Sequence, residues 1–146
     1  MLQGKMRIRV EWSHCDPAGI IFIPHYYIWM DAGTHQLLTA AGFAMAEMVR
    51  SSPFRGCPLV SSRCDFVAPC RYGDRIELWT EVERFGTKSF AVSHEFRRAG
   101  DTLARGQEVR VWGWSDPVDP ERLTAIAVPD EVRAALAAEG VFDTSV

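Results

Sequence analysis

At 146 residues, with 47% apolar and 24% charged residues, the chain suits one globular domain spanning residues 1–146 with room for a sizeable core. A net charge of −3 leaves no basic excess for a nucleic-acid partner, and no uncharged apolar run reaches the roughly 18 residues that a membrane span needs. Cys15, Cys57, Cys64 and Cys70 form no C-x-x-C pair, so reduced thiols, a cytoplasmic setting and no zinc site are expected; Lys5, Arg7, Arg9 and Glu11 interrupt any signal-peptide core.

In chain order, residues 5–12 alternate cleanly, with Met6, Ile8, Val10 and Trp12 on one face and Lys5, Arg7, Arg9 and Glu11 on the other. That pattern predicts a half-buried strand. Asp16-Pro17 ends it, because a proline biases the residue before it toward extended geometry, and Gly19 frees the backbone for a turn. From Pro24 to Ala41 the pattern becomes helical and apolar over most of the circumference, with Asp31, His35 and Thr39 making one narrow polar stripe. Such a helix is expected to be buried nearly all round. Gly33 inside it points to a close backbone approach, and residues 44–50 predict a short second helix.

The remainder reads mostly as strands: 59–67, 75–85, 88–97 and a less regular 102–114, with Gly106 a candidate bulge. Phe85-Gly86-Thr87 and Ala99-Gly100-Asp101 are expected hairpin turns, and Pro129 to Glu139 a terminal amphipathic helix. Trp112 and Trp114 share a strand face and suggest interface packing. One strand, a long helix and four antiparallel strands predict an α+β domain in which a curled sheet of about five strands wraps one central helix. The open edge of such a sheet invites a second subunit, so a homo-oligomer, dimer or tetramer, is expected.

The stretch from Trp12 to Asp31 holds the candidate chemistry. Asp16 lies on a turn just before a helix, where unpaired backbone N–H groups and partial positive charge would polarise a carbonyl. It can be a nucleophile or general base, or simply the acid of a common Asp-Pro turn. His25 sits at the helix start as a candidate substrate contact, whereas His14 and His35 read as structural. Asp31 is a lone charge on an apolar helix; it needs a structural partner, or it contacts a polar group of the ligand. Cys57 has no histidine implied beside it and is not expected to be a nucleophile. Lys88 is either a solvated strand residue or a phosphate contact.

Asp16-Pro17-Ala18-Gly19-Ile20, Pro24-His25-Tyr26-Tyr27 and Trp29-Met30-Asp31-Ala32 together resemble the hotdog-fold acyl-CoA thioesterases, of the 4-hydroxybenzoyl-CoA thioesterase type. The resemblance continues through Pro58-Leu59-Val60-Ser61, Lys88-Ser89-Phe90 and Glu108-Val109-Arg110-Val111, covering about residues 6–128. It implies a strand-wrapped helix, dimers joined into a continuous sheet and a site at the dimer interface, where Asp16 of one subunit faces residues near 57–62 of the other. It further implies that Asp16 carries the chemistry and that N–H groups near Tyr26 and Tyr27 bind the thioester oxygen. His25, Asp31, Cys57, Val60 and Ser61 would then meet the acyl group, and Lys88 and Ser89 the CoA. The chain departs from that type at Phe85-Gly86-Thr87, which replaces a basic cluster, at Cys57, which replaces a small hydroxyl residue, and at His14, where an acid is common.

The resulting expectation is hydrolysis of an acyl-CoA, with aryl or medium-sized acyl groups favoured, without a metal or organic cofactor. Two alternatives stand beside it. A same-fold enoyl or 3-hydroxyacyl thioester dehydratase or hydratase would need His25 or His35 working with Asp31. A non-catalytic acyl-CoA binding module would bind stoichiometrically without turnover.

Overall fold

A computed structural model describes residues 1–145. Seven strands and three α-helices follow one another as β1 (Leu2–Arg9), α1 (Pro24–Ala40), α2 (Met45–Ser51), β2 (Leu59–Phe66), β3 (Arg75–Phe85), β4 (Ser89–Arg98), β5 (Asp101–Ser115), β6 (Leu123–Ile126), α3 (Asp130–Ala137) and β7 (Gly140–Ser145). The main sheet runs in the order β2-β5-β4-β3-β1-β7, with β6 paired to the far end of β5. It curls around one side of α1, which is the expected hotdog arrangement of strands wrapped on a central helix.

Three features differ from the sequence reading. The sheet has seven strands rather than about five: β6 is a short antiparallel addition on Trp112–Ser115, and β7 lies parallel to β1. Both are short and lack a clean alternation, so local pattern does not announce them. The first strand ends at Arg9, and Trp12 is 69% exposed on a 3-10 turn, Trp12–His14, closed by the Glu11 N–H donating to His14 Nδ1 at 2.9 Å. Finally, α1 buries one stripe rather than its whole circumference.

That stripe is Tyr26, Trp29, Met30, Gly33, Thr34, Leu37 and Leu38, spaced at three and four residues. On the opposite side Ile28 is 58% exposed. The first half of α1 packs with Met6, Ile8, Val10, Ile76, Leu78 and Phe96, and the second half with Val82, Phe90, Val92, Trp112, Val132 and Leu136. Each fully buried aliphatic chain here contributes about 1.5–3 kcal/mol from burial. Trp112 belongs to this inner core, against Phe54 at a centroid distance of 4.7 Å, so the interface reading of that residue gives way to core packing.

Two glycines let the helix approach the sheet. A Cβ on Gly33 would lie 2.7 Å from Thr80 Oγ1, as the sequence suggested. A Cβ on Gly106 would lie 2.1 Å from Met30 Sδ. Gly106 is therefore no bulge: it stands in register with His94 on one side and Cys64 on the other, and its missing side chain is the seat of Met30.

Candidate active site

After β1 the chain turns back on itself, and backbone bonds within a few residues shape the Asp16 loop. Cys15 and Ile21 form an antiparallel bridge, Asp16 N–H donates to Ile20 O at 2.9 Å, and Gly19 N–H donates to Asp16 O at 2.9 Å. Gly19 holds φ at +78°, a left-handed value that a side chain would strain. The Asp16 carboxylate is half-buried; Oδ1 accepts the Ala18 N–H at 2.8 Å, and Oδ2 meets no hydrogen-bond partner among the described residues.

The loop delivers the chain into α1 with Pro24 at its first turn, where a missing N–H costs nothing. The sequence pointed to the N–H groups near Tyr26 and Tyr27 as oxyanion donors. The Tyr26 N–H is instead spent on Ile23 O at 3.0 Å, and the His25 N–H on Phe22 O at 3.0 Å. The Ile23 N–H, immediately before the helix, has no partner among the described residues. Tight turn bonds at the start of α1 thus take up the His25 and Tyr26 donors, while no such bond takes up the Tyr27 N–H among the described residues. The Tyr26 side chain is core: its ring meets Phe66 and Phe96 edge-on, and burial beside Cys70 pushes the phenol pKa well above its ordinary value. Tyr27 is half-buried against the same core.

His25 lies beside the loop in an aromatic group with His14 and Trp29, at centroid distances of 5.1 and 5.9 Å. Partial burial and the neighbouring His25 lower the His14 pKa, against an opposing pull from Glu11. Next to this group an apolar cleft of about 260 Å³ is lined by Ile20, Ile21, Ile23, Tyr26 and the segment 66–70.

The residues expected at the acyl end lie elsewhere. Cys57 is buried, and burial pushes its thiol up to about 12, partly offset by Arg110, which fits its exclusion as a nucleophile. Its loop is laid along β5 by Gly113 N–H to Gly56 O and Arg55 N–H to Gly113 O, both 2.9 Å. Val60 and Ser61 stand exposed on the edge strand β2, where the register with β5 shifts between Leu59 and Ser61. Asp31 does have the partner its position demands: Arg110 Nη2 donates to Asp31 Oδ1 at 2.7 Å, with His35 Nε2 at 3.6 Å.

Arg110 and its neighbours are what sequence reading missed. Glu108 and Arg110 share the inner face of β5, and both are buried. The Arg110 guanidinium forks onto Glu108 through Nε and Nη2 at 3.0 Å each, and its Nη1 donates to Cys57 O at 3.0 Å. Thr34 Oγ1 donates to Glu108 Oε2 at 2.7 Å, His94 Nε2 lies 3.3 Å from the same oxygen, and His94 Nδ1 is 3.0 Å from Thr80 Oγ1. Burial alone would raise the Glu108 pKa, but bonds from His94, Arg110 and Thr34 outweigh it and hold the carboxyl at about 2. The signal available in the sequence was the two-residue spacing of Glu108 and Arg110 on an otherwise apolar strand face, together with a lone His94 on another.

Lys88 is exposed, and Ser89 half-buried, at the β3–β4 turn. Arg133 of α3 pins that turn through bonds to the carbonyls of Gly86 and Thr87, and its guanidinium lies 5.2 Å from the Phe85 ring centroid. No hydrogen bond or ion pair among the described residues joins the 15–21 loop to Asp31, Cys57, Val60, Ser61, Lys88 or Ser89.

Comparison with known proteins places this geometry. A family model described as the thioesterase superfamily matches residues 18–105. A 4-hydroxybenzoyl-CoA thioesterase from Pseudomonas sp. (strain CBS-3) is 34% identical over 130 residues, 85% of this chain and 90% of that protein. Among solved structures, a 4-hydroxybenzoyl-CoA thioesterase variant in which an aspartate is replaced by asparagine, complexed with 4-hydroxybenzoyl-CoA, superposes with a TM-score of 0.84 at 30% identity. That match covers 92% of this chain and 99% of the other. A gentisyl-coenzyme A thioesterase gives a TM-score of 0.76 at 34% identity, over 92% of this chain and 99% of its own.

Proposed function

The chain belongs to the thioesterase superfamily, and we propose that it hydrolyses CoA thioesters of hydroxylated aromatic acids, with Asp16 as the reacting carboxylate. Hydrolysis of a CoA thioester is the activity that its relatives' names carry. Support for the role of Asp16 comes from its Oδ2, unbonded among the described residues, on a loop that the Cys15–Ile21 bridge and the Phe22 N–H to His14 O bond at 2.8 Å tie to the start of α1, where the Ile23 N–H is also without a partner. A thioester carbonyl set between them meets a carboxylate at carbon and a donor at oxygen, while the N-terminal end of the helix dipole favours the developing oxyanion. Attack by Asp16 on the carbonyl carbon breaks the C–S bond, releases CoA thiolate and leaves an anhydride for water to cleave. Acting as a base, Asp16 instead takes a proton from the attacking water. Neither route calls for a metal or organic cofactor.

The acyl preference rests on the relatives, named for 4-hydroxybenzoyl-CoA, gentisyl-CoA and 1,4-dihydroxy-2-naphthoyl-CoA, and on the apolar cleft beside the helix start. The alternative dehydratase reading needs His25 or His35 working with Asp31; His25 makes no bond to Asp31 among the described residues, whereas His35 Nε2 lies 3.6 Å from Asp31 Oδ1, so the preference for hydrolysis rests on the relatives' names.

Assembly into at least a dimer is part of this reading. On the edge strand β2, Val60 is 64% exposed and Leu59 and Phe66 are also uncovered; an apolar open edge is what a lone domain avoids. A second copy on that edge would bring Val60, Ser61 and the Cys57 loop to the Asp16 of its partner. A cytoplasmic setting belongs to the same reading and is supported by four free cysteines.

The test is thiol release across 4-hydroxybenzoyl-, benzoyl-, hexanoyl- and acetyl-CoA, with sedimentation velocity at micromolar concentration. Turnover of the aromatic esters by an oligomer is expected. Acetyl-CoA hydrolysed as fast as 4-hydroxybenzoyl-CoA would overturn the acyl preference, and binding without thiol release would overturn the reaction.

A further inference from the structure

Arg110 is buried, yet one edge of its guanidinium reaches a carboxylate that is 52% exposed, Asp31. The other edge is fixed. Nε and Nη2 fork onto Glu108, and Nη1 holds the Cys57 carbonyl. Glu108 is itself anchored by Thr34 Oγ1 at 2.7 Å and faces His94 Nε2 at 3.3 Å. Four of the five guanidinium N–H groups are thus committed, and the plane of the fork is set by β5, α1 and the 55–58 loop together. At Asp31 the consequence is asymmetric. Oδ1 takes the Arg110 bond, with His35 on the same oxygen, whereas Oδ2 has no partner among the described residues.

We infer that Arg110 is a positioning and specificity-determining residue: locked by Glu108 and the Cys57 carbonyl, it turns Asp31 so that Oδ2 is offered as an acceptor to a hydroxyl group on the acyl part of the substrate. The inference rests on the reading that Asp31 and the Cys57 loop border the acyl group. A phenolic O–H donates a charge-assisted bond to that oxygen. An acyl group without the hydroxyl covers the carboxylate and leaves Oδ2 without water or a donor, so it is disfavoured. Lysine in place of arginine keeps one positive charge but not the planar fork whose four N–H bonds fix the direction of Asp31.

The experiment is kcat/KM for 4-hydroxybenzoyl-CoA and benzoyl-CoA with wild type, Asp31→Asn, Arg110→Lys and the double variant, with circular dichroism confirming the fold of each. We expect wild type to favour the hydroxylated ester by about 10- to 100-fold, the scale of one partly exposed hydrogen bond. Asp31→Asn should cut that ratio about tenfold or more, Arg110→Lys should cut it similarly, and the double variant should cut it no further than Asp31→Asn alone. Should Arg110→Lys not fold, Glu108→Gln serves instead: it keeps the shape of the anchor, weakens its hold on Arg110 and should lower the ratio a few-fold only while Asp31 is present. An unchanged ratio in folded Arg110→Lys, or an equal loss in the Asp31→Asn background, overturns the inference and leaves the hydrolase reading intact. An unchanged ratio in Asp31→Asn removes the acyl-end assignment and the inference with it. Failure of wild type to release thiol from either ester strikes instead at the hydrolase reading.

Discussion

The Asp16 loop and the Arg110 cluster are built in opposite ways. The loop is local: bonds from Asp16 to Ile20, from Gly19 to Asp16 and from Ala18 to the Asp16 carboxylate all close within four residues. The cluster is assembled from α1, β3, β4, β5 and the 55–58 loop, with partners 53 to 79 residues apart along the chain for the Cys57 and Asp31 bonds. The loop leaves Asp16 Oδ2 without a partner among the described residues, whereas the cluster buries Glu108 and Arg110 and satisfies them. A site made this way can lose its chemistry without losing its fold, and its frame can fail without any reacting atom being touched.

The sharpest way to separate the two is Asp16→Asn. The amide keeps the size and the turn bond but neither attacks a carbonyl nor takes a proton from water. Thiol release at saturating 4-hydroxybenzoyl-CoA should fall at least about 100- to 10,000-fold, with thermal unfolding shifted by no more than about 1 kcal/mol. A variant within tenfold of wild type would take Asp16 out of the mechanism.

Arg110→Met should do the reverse. It strands the Glu108 carboxylate without its guanidinium partner in a buried position, at a cost of about 3–5 kcal/mol measured by the denaturant midpoint. An unshifted midpoint would mean that the cluster does not brace the fold.

Acid should loosen the cluster. The Glu108 pKa is lower in the folded chain, at about 2, than the ordinary 4.5. Its contribution is therefore fully present above pH 4.5 and is lost as pH falls from there toward 2, amounting to about 3 kcal/mol across that window. Unfolding free energy against pH should show this decline, and Glu108→Gln should flatten it.

The smallest effect is expected far from both regions. Lys88 is exposed on a turn pinned by Arg133, so Lys88→Ala should raise KM for a full CoA ester a few-fold, leave a pantetheine ester unchanged and lose its effect at high salt. Equal changes on the two substrates would move Lys88 away from the nucleotide.

What was legible in the sequence follows the same division. Alternation in β1, β3 and β4, the helical period of α1 and the Asp16 turn are all written in neighbouring residues, because side-chain periodicity and turn stereochemistry act over a few positions. Gly33 could be read as a close approach for the same reason. Trp12 misled because a proper alternation continued past the point where the chain leaves the sheet, and β7 was invisible because its parallel pairing with β1 joins the two ends of the chain. Glu108 and Arg110 read as two charges on an irregular strand. Only tertiary packing, which sets Asp31 and Thr34 of α1 over that strand, turned them into a buried ion pair, since the energy of a buried charge depends on partners that the chain brings from far away. The Asp16 turn could be read from neighbouring residues; only the fold decided which backbone donors at the start of α1 are taken up, those of His25 and Tyr26, and that the Ile23 N–H has no partner among the described residues.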